Sequence, residues 1–187
     1  MIRSIDYSAE DAAQEKAKTA VGRRCPICKG EHKGSMSSVI RVLSDHVAEL
    51  QRKVRGLDPG RFDRSYGKGK WSIRQILCHL RDCELNFGVR WRQLISEERA
   101  AILPFDQDRW CTGTRYHRQD PKAALGAWKA LREANVEMLK LSGKASWSRS
   151  GLHPEYGTIS AEQLARHVVA HDLNHFGQIE KARSVHG

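Results

Sequence analysis

The 187-residue chain contains no apolar run approaching the ~18–20 residues that a membrane-spanning helix needs, which excludes an integral helical membrane protein. Its N-terminal stretch MIRSIDYSAEDAAQEKAK is polar and lacks the apolar centre of a secretory signal, so the expected location is cytoplasmic. Cysteine is scarce and odd in number, five residues at 25, 28, 78, 83 and 111, which argues against a disulfide framework. Also missing are a glycine-rich phosphate loop, a GxSxG nucleophile elbow and an HExxH helix. There is no internal repeat, no low-complexity tract and no block of five like charges. Charge itself is plentiful: 32 Lys and Arg against 22 Asp and Glu give a formal +10. Residues 1–70 hold 15 basic and 9 acidic side chains, and 71–187 hold 17 and 13, so the excess is spread along the chain. Such an excess suits anionic substrates or simple solubility. Without clustering it gives little support to a basic nucleic-acid-binding protein.

Apolar residues, 40% of the chain, suffice for one core at this length. Residues 1–36 are expected to be an N-terminal extension, either a flexible tail or a knuckle, with the compact domain over 37–187. In that domain Val39, Leu43, Val47, Leu50 and Val54 form one helical stripe, which Gly56, Pro59 and Gly60 end. A second helix starts near Trp71 with Ser72 as cap, and it carries Ile73, Ile76, Leu77, Leu80, Phe87, Trp91 and Leu94. A long connection over 99–120 leads to a third helix with Pro121 in its first turn and a stripe of Leu125, Trp128, Leu131 and Met138. The fourth helix has a capping box, Ser160 with Gln163, flanked by Ile159 and Leu164 at staple positions. No alternating segment is long enough to predict a strand. The expected fold is all-α, a four-helix bundle with an N-terminal extension, of either up-down or crossover topology.

The seam of the fourth helix runs Leu164, Val168, 171, 175, Ile179, Ala182, and positions 171 and 175 are histidine. Residues four apart stand on adjacent turns, about 5–6 Å between Cβ atoms, close enough for two imidazoles to share one metal ion. Burying two imidazoles without partners would cost roughly 1–3 kcal/mol for each unsatisfied polar group. His79 lies on the edge of the second helix's apolar face. Three histidines from two helices make an open site suited to a bound water or substrate, whereas structural zinc sites close with four protein ligands.

The segments KWSIRQILCHLRDCE, PFDQDRW and HPEYGTISAEQLARHVVAHDLNHFGQI resemble the DinB/YfiT-like family over about residues 37–184. The resemblance implies a four-helix bundle holding a divalent metal, zinc or nickel, through three histidines: His79, His171 and His175. It also implies metal-dependent hydrolase or thiol-dependent transferase chemistry, the latter with a low-molecular-weight thiol. Trp71 and Trp110 become pocket or packing residues. Asp106 and Asp108 would orient a ligand histidine, or else cap a helix and pair with Arg109. His153 would flank the metal entrance from a loop. Glu84 is read as a solvated face residue or a support for the site, and His46 as a core histidine near it. Cys78 and Cys83 are read as small core fillers.

The extension departs from the family. CPICKGEH resembles half of a zinc ribbon, with Cys25, Cys28 and His32 as candidate ligands of a second metal knuckle. The expected activity is therefore activation of water or a small thiol by a divalent ion, for attack on a small electrophile. No protein nucleophile is assigned. A nonenzymatic protein that binds metal or a small ligand is the alternative. The expected partners are a small-molecule substrate and a second copy of the chain, the dimer pairing through Phe87, Trp91 and Leu94.

Overall fold

Ser35 starts the first helix. Its hydroxyl accepts the Ser38 backbone N–H at 3.2 Å, and α1 runs Met36–Val54 in the computed structural model, which describes residues 26–27 and 34–185. Gly56, at φ 71°, turns the chain out of α1, and a short 3-10 turn, Pro59–Asp63, follows. α2 (Ile73–Ser96) begins with a complete capping box between Ser72 and Gln75. α3 (Gln107–Gly113) is a short helix inside the long connection. α4 (Pro121–Leu141) is capped by Asp120 and followed by the single-turn α5 (Gly143–Trp147). α6 (Ala161–Ser184) opens with the reciprocal Ser160–Gln163 box that the sequence predicts.

The four long helices form a bundle in which α1 and α2 each pack against both α4 and α6. Consecutive helices α1 and α2 therefore stand on a diagonal, as do α4 and α6, and the topology is a crossover one. No described helix is long and apolar enough to cross a membrane.

Contrary to expectation, a three-stranded sheet caps one end. β1 (Ala100–Ala101) lies parallel to β2 (Ser150–His153), which pairs antiparallel with β3 (Gly157–Ser160). Strands of two to four residues are too short to show a period of two. Gly151 permits the β1–β2 approach, since a Cβ there would lie 2.4 Å from the Ala100 carbonyl oxygen.

Two apolar clusters fill the bundle. One joins Leu43, Phe87, Trp91, Leu139 and Leu164 beneath the sheet. The other joins Leu50, Ile76, Leu80, Trp128 and Ile179 toward the opposite end. Between them all four long helices place buried polar residues: His46 on α1, His79 and Glu84 on α2, Arg132 and Asn135 on α4, Asp172 and His175 on α6. The inward face of α4 is accordingly rotated from the expected stripe. Arg132, Asn135 and Leu139 point inward, while Leu131 and Met138 are only half-buried. Phe87, Trp91 and Leu94 are 0–4% exposed, so the face expected to pair two copies lies inside the bundle instead.

Candidate metal centre

Three imidazoles meet at the side of this polar layer. His79 comes from α2, and His171 and His175 from successive turns of α6. Nε2 of His79 lies 3.1 Å from Nε2 of His171, and the His175 ring centroid is 4.7 Å from that of His79 and 4.5 Å from that of His171. Two nitrogens bound to one tetrahedral zinc at ~2.0–2.1 Å stand about 3.3 Å apart. The donor set thus has the spacing and the chemistry to hold a divalent ion. His175 Nδ1 donates to Gln178 Oε1 at 2.9 Å, which fixes the tautomer and leaves the lone pair on Nε2. Trp71 covers the cluster, its ring 4.7 Å from His79 and stacked at 11° on His175. Burial, reinforced by the neighbouring imidazoles, holds His79 down at about 2 and His175 at about 3. Both rings are therefore neutral at physiological pH, the form a metal requires.

Cys83, one turn after His79, belongs to the same cluster. Its Sγ is 3.3 Å from His79 Nε2 and 3.7 Å from Nδ1. Being nearly equidistant from both nitrogens, the sulfur lies beside the ring and off the Nε2 lone-pair axis. His79, Cys83 and His171 offer donor atoms all within 4.8 Å of one another. Burial pushes the Cys83 thiol well above its ordinary range. The expected role of core filler is incomplete, because Cys83 also lines the cavity described below.

Next to the imidazoles runs a network of buried charges. Arg132 donates to Glu84 Oε2 and Asp172 Oδ2, each at 2.7 Å. Asn135 Nδ2 donates to Glu84 Oε1 at 2.8 Å, and His46 Nδ1 lies 2.8 Å from Asp172 Oδ2. Burial alone would raise the Asp172 carboxyl, but Arg132, His171 and His46 together hold it far below the carboxylate range. Asp172 Oδ1 is 3.9 Å from His171 Nδ1, which places a carboxylate behind that imidazole. Glu84 is thus no solvated residue but a fully buried partner of Arg132.

A cavity of about 240 Å³ opens over the cluster between α2, α6, the hairpin and the 104–107 segment. His79, Cys83 and His171 form one side of it, and Arg90, His153 and Glu155 contribute elsewhere. His153 is the last residue of β2, only 2% exposed, where the sequence suggested a loop. Ile27 also lines the cavity. Cys25, Cys28 and His32 lie outside the described residues. Trp110 packs on Phe105, 4.7 Å between ring centroids. Asp106 caps α3, accepting from the Asp108 and Arg109 N–H groups at 3.0 and 2.9 Å, and pairs with Arg109. Asp108 sits exposed in the first turn of α3. Neither Asp106 nor Asp108 is brought to the imidazoles. The capping alternative is the one the geometry shows.

Fold and site together define a class: a crossover four-helix bundle with inward imidazoles from two facing helices beneath a small cavity. The DinB superfamily model matches residues 42–179, and the chain belongs to that superfamily. Among relatives, it is 27% identical over 141 residues to YfiT of Bacillus subtilis, covering 75% of this chain and 79% of YfiT. A relative from Oceanobacillus iheyensis, provisionally named a metal-dependent hydrolase, is 26% identical over 85% of this chain and 95% of its own. The solved structure of B. subtilis YfiT, described as a probable metal-dependent hydrolase with an unusual four-helix bundle topology, superposes with a TM-score of 0.75. The match covers 87% of this chain and 97% of that one at 27% identity. A mycothiol-dependent maleylpyruvate isomerase shares the fold, with TM-score 0.64 and 12% identity over 78% of this chain and 61% of its own.

Proposed function

We infer that the protein is a divalent-metal-dependent enzyme in which His79, His171 and His175 hold the ion, zinc or nickel, and the cavity above them receives a small electrophile. The observation that carries this reading is the convergence of three imidazoles from two helices, two of which, His79 and His171, line the cavity. A bound divalent cation supplies Lewis acidity and lowers the pKa of a coordinated water or small thiol, giving a nucleophile at neutral pH. The chain's own residues do the rest. Gln178 orients His175 through its Nδ1 proton. Asp172, itself fixed by Arg132, sets a negative charge behind His171. Trp71 shields one face of the cluster, and Phe87, Pro104 and Phe105 supply apolar wall. The isomerase that shares the fold makes a small thiol a reasonable co-substrate, and the YfiT description favours water.

Elemental mass spectrometry on the full chain and on His171→Ala tests the site. About one divalent ion per chain, lost in the variant, is the expected result. Metal retained in His171→Ala would overturn the assignment and direct attention to Cys25 and Cys28. Turnover of small electrophiles by the metal-loaded chain, measured with and without added thiol, then separates the two chemistries. Metal binding without turnover across a broad panel would leave a nonenzymatic binding protein.

A further inference from the structure

The cavity has a second polar feature besides the imidazole cluster. Arg90, on α2 eleven residues beyond His79, is 8% exposed, and His153 is 2% exposed. Both line the cavity. Arg90 Nη2 donates to the Leu103 carbonyl at 2.8 Å, and its guanidinium lies 5.7 Å from the centre of the Phe105 ring. That carbonyl is the single hydrogen-bond partner of Arg90 among the described residues, whereas a guanidinium carries five N–H donors in a rigid fork. His153 has a fixed tautomer. The Glu155 backbone N–H donates to its Nδ1 at 3.1 Å, so the ring proton is on Nε2. No described residue accepts that proton.

Burial, with Arg90 nearby, keeps His153 below the ordinary imidazole range and so uncharged. Glu155, at the rim, is solvent-exposed; its carboxylate is near enough to act on both Arg90 and His153 but makes no hydrogen bond or salt bridge to either side chain among the described residues. A desolvated guanidinium with one carbonyl partner and an imidazole N–H, both lining the cavity, leave donors there that no described side chain accepts. Charge-assisted bonds from arginine to a carboxylate are the strongest that such a pair makes.

We propose that Arg90 and His153 form an anchoring subsite for a carboxylate, so that the molecule bound beneath the hairpin is a small carboxylic acid. The inference rests on the metal-dependent reading above and gives its substrate a chemical class. Arg90 and His153 bind and orient one end while the reacting end faces the histidines. The spread positive charge of the chain favours the same sign of ligand.

Succinate and its neutral analogue succinamide are titrated into the full chain, metal-free and zinc-loaded, and followed by proton–nitrogen NMR of the arginine Nε–H and imidazole signals. Succinate is expected to shift the Arg90 and His153 signals in both forms while succinamide leaves them in place. Arg90→Gln should weaken succinate tenfold or more, with Arg90→Lys between, because the charge is kept and the fork is lost. Binding to the zinc-loaded chain alone, unchanged in Arg90→Gln, would place the carboxylate on the metal and overturn the subsite while leaving the metal reading intact. A chain that takes up no zinc yet shows the Arg90-dependent shift would sustain the subsite and remove the metal reading. Absence of binding in both forms would also overturn it.

Discussion

The bundle interior holds two polar clusters side by side, and adjacent residues, His171 and Asp172, divide them. In the Arg132 network each carboxylate finds its partner within the protein: Glu84 meets Arg132 and Asn135, and Asp172 meets Arg132 and His46. In the imidazole cluster nitrogen faces nitrogen, and the buried Nδ1 of His171 has no hydrogen-bond partner among the described residues. A network whose carboxylates are all paired ties helices together and fixes register, although the buried Arg132 Nε finds no acceptor among the described residues. A set of converging lone pairs has the composition of a ligand shell. The two also cooperate, because Glu84, Asp172 and one guanidinium carry one net negative charge beside the imidazoles. Their contrast suggests that buried polarity with internal partners is support, and that buried polarity of one donor type is a binding site.

The largest test of that contrast is Arg132→Met. It strips two buried carboxylates of their cation, and breaking a buried pair this way typically costs about 3–5 kcal/mol. Denaturant melts should show a loss of that order. A loss under about 1 kcal/mol would show that the network does not brace the bundle. By comparison His171→Ala should chiefly remove metal.

Acid should separate the clusters next. His79 and His175 titrate at about 2 and about 3 in the folded chain, against about 6.5 when unfolded. Below pH ~6.5 the unfolded state takes up protons that the folded state refuses, so the stability of the metal-free protein falls as pH drops. Each imidazole contributes at most about 1.4 kcal/mol per pH unit, down to its folded value. Melts at pH 7, 6 and 5 should show this slope, and His175→Gln should flatten it. An unchanged slope in that variant would show that His175 is not held neutral. The Asp172 carboxylate, whose pKa lies far lower, stays ionised throughout.

Cys83 sits at the border of the cluster, and its effect should be smaller. Because its sulfur lies off the His79 lone-pair axis, Cys83→Ser is expected to keep one ion per chain with affinity changed less than tenfold, under about 1.4 kcal/mol. Cobalt-loaded wild type showing a thiolate charge-transfer band that vanishes in Cys83→Ser would make the sulfur a fourth donor and enlarge the cluster.

Much of this arrangement was legible in the chain. The capping boxes at Ser72 and Ser160 and the stripes of α1, α2 and α6 follow from helical periodicity and appear as expected. The histidines at 171 and 175 stood out because they interrupt an apolar seam. The other half of the polar layer was hidden by the same logic. Arg132, Asn135 and Glu84 are types that normally face water, and only the three-dimensional meeting of α2, α4 and α6 turns them inward. Cys83 carried a signal, four residues after His79 on the apolar face, but cysteine fits a core equally well. The sheet and the role of His153 depend on pairing between distant segments, Ala100 with Gly151, which local pattern does not encode.

Asp106 supplies the smallest test, outside both clusters. The sequence allowed it either to support a ligand histidine or to cap a helix, and the two roles predict different measurements. As the N-cap of α3, holding the Asp108 and Arg109 N–H groups, its replacement by alanine should cost about 1 kcal/mol in stability. Metal affinity should not change. Outer partners of metal-bound histidines typically cost 10–100-fold in affinity when removed. A loss of that size in Asp106→Ala would extend the metal cluster to the 104–107 segment. A shift in melting alone would confine the metal's support to residues on α2, α4 and α6.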